Sequence, residues 1–223
     1  MSQVYSIDEQ LFLKYLERIS PPANNILEQI KIYNRQHLMG HMMLSDIQVR
    51  LLVWLANLIG TRYYLEVGVY TGYSSTVMGL NLPAEAKMVL CDLSVTYTDV
   101  ARSFWKKAGI ENKITLYLQP ALLTLQECLA ERGADFFDFI FLDGDKKGLP
   151  LYVEASYPLL RPGGVIAIDN TYLRGRVAEE DKVECNCSSV QVVKKFNQSI
   201  LNDIRFQSVM LPLGDGLTLL IKK

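Results

Sequence analysis

Two hydrophobic rhythms divide the chain. Over residues 1–60 the apolar positions recur at helical spacing, and from residue 62 short apolar runs alternate with amphipathic stretches. Ser6 with Glu9 and Ser45 with Gln48 have capping-box spacing, so each predicts a helix start. Pro21-Pro22 separates a first helix, residues 7–19, from a second over 24–37. A third, residues 46–59, carries Ile47, Leu51, Val53, Trp54, Leu55 and Leu58 as a broad apolar face expected to pack on the core.

Beyond that segment, strands are predicted over 63–67, 88–91, 114–118, 137–142 and 165–168, with helices over 74–81, 95–108, 121–131 and 151–160 between them. A polar segment, 175–188, precedes a helix over 189–202. The ending, 206–211 and 216–221 across Pro212-Leu213-Gly214-Asp215-Gly216, predicts an antiparallel strand pair. Repeated βα units with buried apolar strands predict an α/β fold: a doubly wound, mostly parallel sheet with helices on both faces. One domain spanning 1–223 is expected, with 1–60 as a helical segment packed on it.

The stretch YYLEVGVYTGYSS, residues 63–75, is a strand that passes through a glycine turn into a helix start. Parallel sheets build nucleotide pockets this way. Its glycines are spaced G-x-x-x-G, without the glycine that brings backbone against a pyrophosphate, so a ligand lacking that group is expected. Glu66 at the end of a buried strand asks for a cationic or hydrogen-bonding partner. S-adenosylmethionine, with an ammonium, a sulfonium and hydroxyls, meets both conditions; the alternative is a strand-end acid facing water. Asp92, twenty residues beyond Gly72, suits a carboxylate gripping ribose hydroxyls, or else an N-cap beside Ser94.

Two further strand ends carry polar groups: Asp143-Gly144-Asp145-Lys146-Lys147 and Asp169-Asn170-Thr171. If these strands are neighbours, Asp143, Asp169 and Asn170 converge as an all-oxygen set suited to Mg²⁺, Mn²⁺ or Ca²⁺ and ill suited to zinc. Ordinary capping and turn formation by Asp and Asn is the alternative. His37 and His41 lie four apart, but Gly40 falls at the expected helix end between them, which argues against a metal pair.

The formal net charge of −1 gives no global case for nucleic acid or an anionic membrane. With no apolar run of spanning length and no basic-then-apolar start, a cytoplasmic protein is expected. Cys91, Cys128, Cys185 and Cys187 form neither a disulfide framework nor a zinc pattern and are expected as free thiols.

In its motifs the chain resembles the cation-dependent class I O-methyltransferases, the group of plant caffeoyl-CoA O-methyltransferases related to catechol O-methyltransferase. The matching pieces are Met42-Met43-Leu44-Ser45, LEVGVYTGYSS (65–75), Cys91-Asp92, WKKAG (105–109), Pro120-Ala121-Leu122, FDFIFLDGDK (137–146), LLRPGGVIAIDN (159–170) and LPLGDGLTLLIKK (211–223). The resemblance implies a seven-stranded, Rossmann-like methyltransferase sheet whose last strand is antiparallel. It also implies a homodimer with the N-terminal helices near the partner and the substrate mouth. Adenosylmethionine contacts fall on Leu44, Glu66, Gly68, Val69, Ser74, Asp92, Ala121 and Asp145, metal ligation on Asp143, Asp169 and Asn170, and the catalytic lysine on Lys146. Family members often continue Asp-Lys with x-Asn-Tyr, where this chain has Lys147-Gly148-Leu149. Leu173 stands where many have Trp, and Arg174 replaces an Asn that contacts substrate in plant enzymes. The acceptor wall therefore departs from the family pattern.

The reaction implied is methyl transfer to one hydroxyl of a small vicinal dihydroxy aromatic, catechol- or caffeoyl-like, with Lys146 as general base and the metal as Lewis acid beside Asp143. A second reading keeps the fold and methylates a hydroxylated uridine in tRNA, with Lys106, Lys107, Lys146, Lys147, Arg174 and Arg176 as a basic rim. A non-catalytic adenosylmethionine sensor would not need Lys146 or the metal set, and a nicotinamide dehydrogenase would need the missing glycine.

Overall fold

The computed structural model describes residues 9–20, 24–179 and 188–223. Ser6, Pro21-Pro22, Cys185 and Cys187 lie outside them. The helical segment comprises α1 (Glu9–Ile19), α2 (Asn25–Gln36) and α3 (Asp46–Leu58). Asn24 caps α2 by accepting from the Ile26 N–H at 2.9 Å. The Ser45–Gln48 capping box at α3 is formed in both directions. Its expected apolar face packs on the core in part: Leu51, Val53 and Leu55 lie against it beside the buried Gln48, Val49, Leu52 and Ala56, while Trp54 and Leu58 are 60% and 65% exposed. The helix is apolar nearly all round, so composition alone does not select the face.

From β1 (Tyr63–Val67) the chain alternates through α4 (Tyr73–Asn81), β2 (Lys87–Asp92), α5 (Val95–Ala108), β3 (Ile114–Leu118), α6 (Ala121–Arg132), β4 (Phe137–Leu142), α7 (Leu149–Ser156) and β5 (Leu160–Ile168). It ends with α8 (Ser188–Ile200), β6 (Phe206–Leu211) and β7 (Leu217–Lys222). The seven strands form one sheet in the order β3-β2-β1-β4-β5-β7-β6, with β7 antiparallel to both neighbours. Chain order reverses between β1 and β4, the place where an open parallel sheet leaves a crevice beyond its carboxyl edge.

β4 is buried along its whole length, as a strand covered on both faces must be. Alternate side chains feed two cores. Tyr64, Phe139 and Phe141 pack with Leu52, Met78 and Phe104 on one face; Leu65, Ile140 and Leu142 pack with Leu125, Val153 and Phe196 on the other.

Two elements depart most from the expectation. α7 begins at Leu149 and ends at Ser156, because Pro150 in its first turn starts a helix instead of interrupting one. β5 begins at Leu160, not Val165, and passes through Pro162-Gly163-Gly164 by a register shift between Phe137 and Phe139 on β4. Arg161, paired to Asp138 at 2.6 Å, pins the irregular part.

Candidate active site

Four strand tips stand side by side at the carboxyl edge. The ladder continues one step past each strand: Gly68 N–H donates to the Cys91 carbonyl (2.9 Å), Asp143 N–H to Val67 (2.8 Å) and Asp169 N–H to Leu142 (3.1 Å). Asp92, Gly68, Asp143 and Asp169 thus form one row. Gly68 has φ +91°, and a Cβ there would lie 2.3 Å from the Asp143 carbonyl oxygen, so only glycine fits this point of the row.

Asp92 organises the glycine turn. Its Oδ2 accepts from the Val69 and Tyr70 N–H groups at 2.8 and 2.9 Å, and its Oδ1 from the Ser94 N–H at 2.8 Å. The N-cap of α5 is Ser94, which accepts from the Tyr97 N–H. Asp92 is therefore not that cap, and Oδ1 retains a lone pair for a further donor.

Beside the row lies a cleft of about 470 Å³, lined by Gly68, Tyr70, Asp92, Tyr97, Gln119, Ala121, Asp143, Asp145, Lys146 and Asn170 among others. Of the expected cofactor contacts, Gly68, Asp92, Ala121 and Asp145 line it; Leu44, Glu66, Val69 and Ser74 are buried and do not line it. Glu66 is fully enclosed and accepts from Tyr64 Oη at 2.7 Å and Ser74 Oγ at 2.6 Å. Burial pushes its carboxyl up to about 8 despite both hydrogen bonds, and the charges of Asp143 and Asp92 push the same way.

Lys146 Nζ sits 3.4 Å from Asp143 Oδ1. Burial raises the Asp143 carboxyl above the usual carboxylate range; the Lys146 charge opposes this and the Asp169 charge reinforces it. Asp169 is buried, and its Oδ1 accepts from Gln48 Nε2 at 2.7 Å. Asn170, at φ +56°, turns its segment into the left-handed region and lines the cleft. Among the described residues no three His, Cys, Asp or Glu gather as a metal cluster. The set on offer is two carboxylates and an amide. Asp145 binds away from this group, accepting from Tyr152 Oη and from the Gly148 N–H at 2.8 Å.

Gln48 was visible in the sequence only as half of a capping box. Its Oε1 accepts from Ser45 while its Nε2 reaches Asp169, 121 residues away in sequence. Tyr70, Tyr97, Gln119 and Tyr152 carry no local signal for the cleft; tertiary placement alone brings them there. His37 caps α2 and His41 lies in the 3₁₀ turn Gly40–Met42, so they share no helix face. Of the basic residues expected to form a rim, only Lys146 lines the cleft. Cys91 and Cys128 are buried free thiols.

The family model described as O-methyltransferase matches residues 17–223. A Dictyostelium discoideum protein named probable caffeoyl-CoA O-methyltransferase 1 is 37% identical over 212 residues, covering 94% of this chain and 91% of that one. The Mus musculus catechol O-methyltransferase domain-containing protein 1 is 36% identical over 221 residues, covering 92% and 83%. Among solved structures, an O-methyltransferase from Bacillus cereus in complex with SAH aligns with a TM-score of 0.83 at 28% identity, covering 94% and 96%.

Proposed function

The chain belongs to the O-methyltransferase family, and we propose that it moves the methyl group of S-adenosylmethionine to one hydroxyl of a vicinal dihydroxy aromatic. The observation that carries this reading is Lys146 Nζ beside Asp143 at the floor of the cleft, with Asp169 and Asn170 on the adjacent strand tip. The SAH bound to the Bacillus cereus relative supports the cofactor. A small acceptor is favoured over tRNA because the basic rim that RNA would need does not line the cleft.

The donor set fits a hard divalent cation, Mg²⁺ first and Mn²⁺ or Ca²⁺ as alternatives. Burial holds Asp143 above its ordinary range and the Asp169 charge adds to this, so a cation between the two carboxylates would relieve both. Asp143, Asp169 and Asn170 would hold the ion. When bound, it would supply Lewis-acid polarisation of the acceptor hydroxyls.

The remaining work falls to the chain itself. Lys146 takes the phenolic proton at Nζ as general base, and Asp143 stabilises the ammonium that results. The methyl passes from sulfonium sulfur to phenolate oxygen, so a positive and a negative charge disappear together. Positioning of the two reactants in the cleft supplies much of the rate. Asp92 offers its free Oδ1 lone pair to a ribose hydroxyl, and Gly68 lets the ligand approach backbone. Ala121 and Asp145 complete the wall, while the buried Leu44, Val69, Glu66 and Ser74 support it. A homodimer belongs to the same reading.

The test is methyl transfer from S-adenosylmethionine to caffeic acid, with and without EDTA and added Mg²⁺. Turnover that needs the ion is expected. Equal turnover in chelator removes the metal from the mechanism, and no binding of SAH by calorimetry removes the cofactor.

A further inference from the structure

Tyr70 occupies a costly backbone conformation in the wall of the cleft. Its φ is +49°, the left-handed region that a bulky residue enters only when its surroundings over-determine it. One hold on it is the Asp92 carboxylate, at the tip of β2, on its N–H, and the Tyr97 ring packs against its own with centroids 4.7 Å apart. A further hold comes from the helical segment. Tyr70 Oη lies 3.2 Å from His37 Nδ1, at the C-terminal end of α2. The Met39 N–H donates to the same nitrogen at 3.1 Å, so Nδ1 is an unprotonated acceptor and the tyrosine hydroxyl is the donor.

The next residue of the turn is tied to the same helix. Thr71 and Asn34 exchange two hydrogen bonds, at 2.9 and 3.0 Å, and both side chains are buried. Asn34 is in turn anchored to the Ile30 carbonyl at 2.9 Å. A Cβ at Gly40 would lie 1.9 Å from the Asn34 carbonyl oxygen, so the chain after α2 folds back against this end with no slack.

We propose that His37 and Asn34 are positioning residues for the cofactor turn: through Tyr70 and Thr71 they hold the wall against which the adenosyl ligand binds. The inference rests on the cofactor reading above. It gives α2 a part in binding and gives His37 a function other than metal ligation.

Two substitutions separate hydrogen bonding from packing. His37→Asn keeps an acceptor oxygen close to where Nδ1 stood and removes the ring. His37→Phe keeps the ring contacts with Tyr33 and Tyr97 and removes the acceptor. By calorimetry with SAH, His37→Phe, which frees both the Tyr70 hydroxyl and the Met39 N–H, should weaken binding about five- to tenfold. His37→Asn should stay near the parent, and kcat should change less than KM for S-adenosylmethionine. Parental affinity in His37→Phe, or equal loss in both variants, overturns the proposal in favour of plain packing. If His37→Phe does not fold, Tyr70→Phe removes the same bond from the other side, and parental SAH affinity there overturns it equally. Failure of the unsubstituted protein to bind SAH instead overturns the cofactor reading, and this inference with it.

Discussion

Asp169, Lys146 and Glu66 have separate duties at the carboxyl edge of the sheet, and substitutions should separate them. Asp169 and Lys146 serve the acceptor side, so neither should be needed for the cofactor. Lys146→Ala is expected to lower kcat by about 10²–10⁴-fold, the usual contribution of a general base. Asp169→Ala is expected to lower it on the order of 100-fold or more, since even outer partners of a metal ligand are worth about 10–100-fold. Both should bind SAH in calorimetry as the parent does; loss of SAH binding would move these residues to the cofactor side. Glu66 makes a different prediction. Its folded value, about 8, lies above the unfolded one, so between about pH 4.3 and that value the folded state binds more protons. Stability of the cofactor-free protein should therefore fall as pH rises through this window, at up to about 1.4 kcal/mol per pH unit from this group. Glu66→Gln, which has no proton to lose, should show a shallower fall of Tm between pH 5 and pH 8. Parallel curves would mean that Glu66 ionises without cost in the native state.

Elements carry the glycine argument. Gly60, after α3, and Gly68, after β1, both have positive φ, but a Cβ at Gly60 meets nothing within 4 Å whereas at Gly68 it strikes the Asp143 carbonyl. Gly60→Ala should cost only backbone strain, about 1–2 kcal/mol, and keep activity. Gly68→Ala must spread β1 from β4 under the site and should abolish SAH binding; equal activity in the two variants would show the row of tips to be more pliant than its ladder implies. The parallel strands and most helices were legible because their apolar runs and caps are local signals. Pro162-Gly163-Gly164 reads locally as a break, and only pairing with β4 shows that the strand continues through it. Asp143, Asp169 and Asn170 were legible as strand-tip residues, since parallel topology puts every tip on one rim. The double role of Gln48 was not, because its partner comes from a strand far along the chain. Likewise, spacing pointed Asp92 toward a ligand but could not reveal that two of its bonds hold the turn itself.

At the scale of the molecule, one face of the helical segment remains to be explained. Trp54 and Leu58 stand exposed on α3, and Trp54 borders a cleft of about 410 Å³ where Leu27, Val53, Tyr73 and Val77 meet Lys31, Asp46, Arg50 and Asn57. A net charge of −1 sets little repulsion between copies of the chain. Large apolar side chains clustered at a surface hollow mark an interaction face more often than a solvated one. Since the resemblance implies a homodimer that uses the N-terminal helices, this face is the expected place for the second copy. Light scattering after size exclusion should give twice the 25.3 kDa of one chain. Trp54→Glu, which puts a charge into the middle of the face, should give single chains. Because Trp54 does not line the cleft beside the strand tips, that variant should still bind SAH. A parent that runs at 25.3 kDa at micromolar concentration would leave the exposed tryptophan without this role. A dimer that survives Trp54→Glu would place the interface on a different surface of the fold.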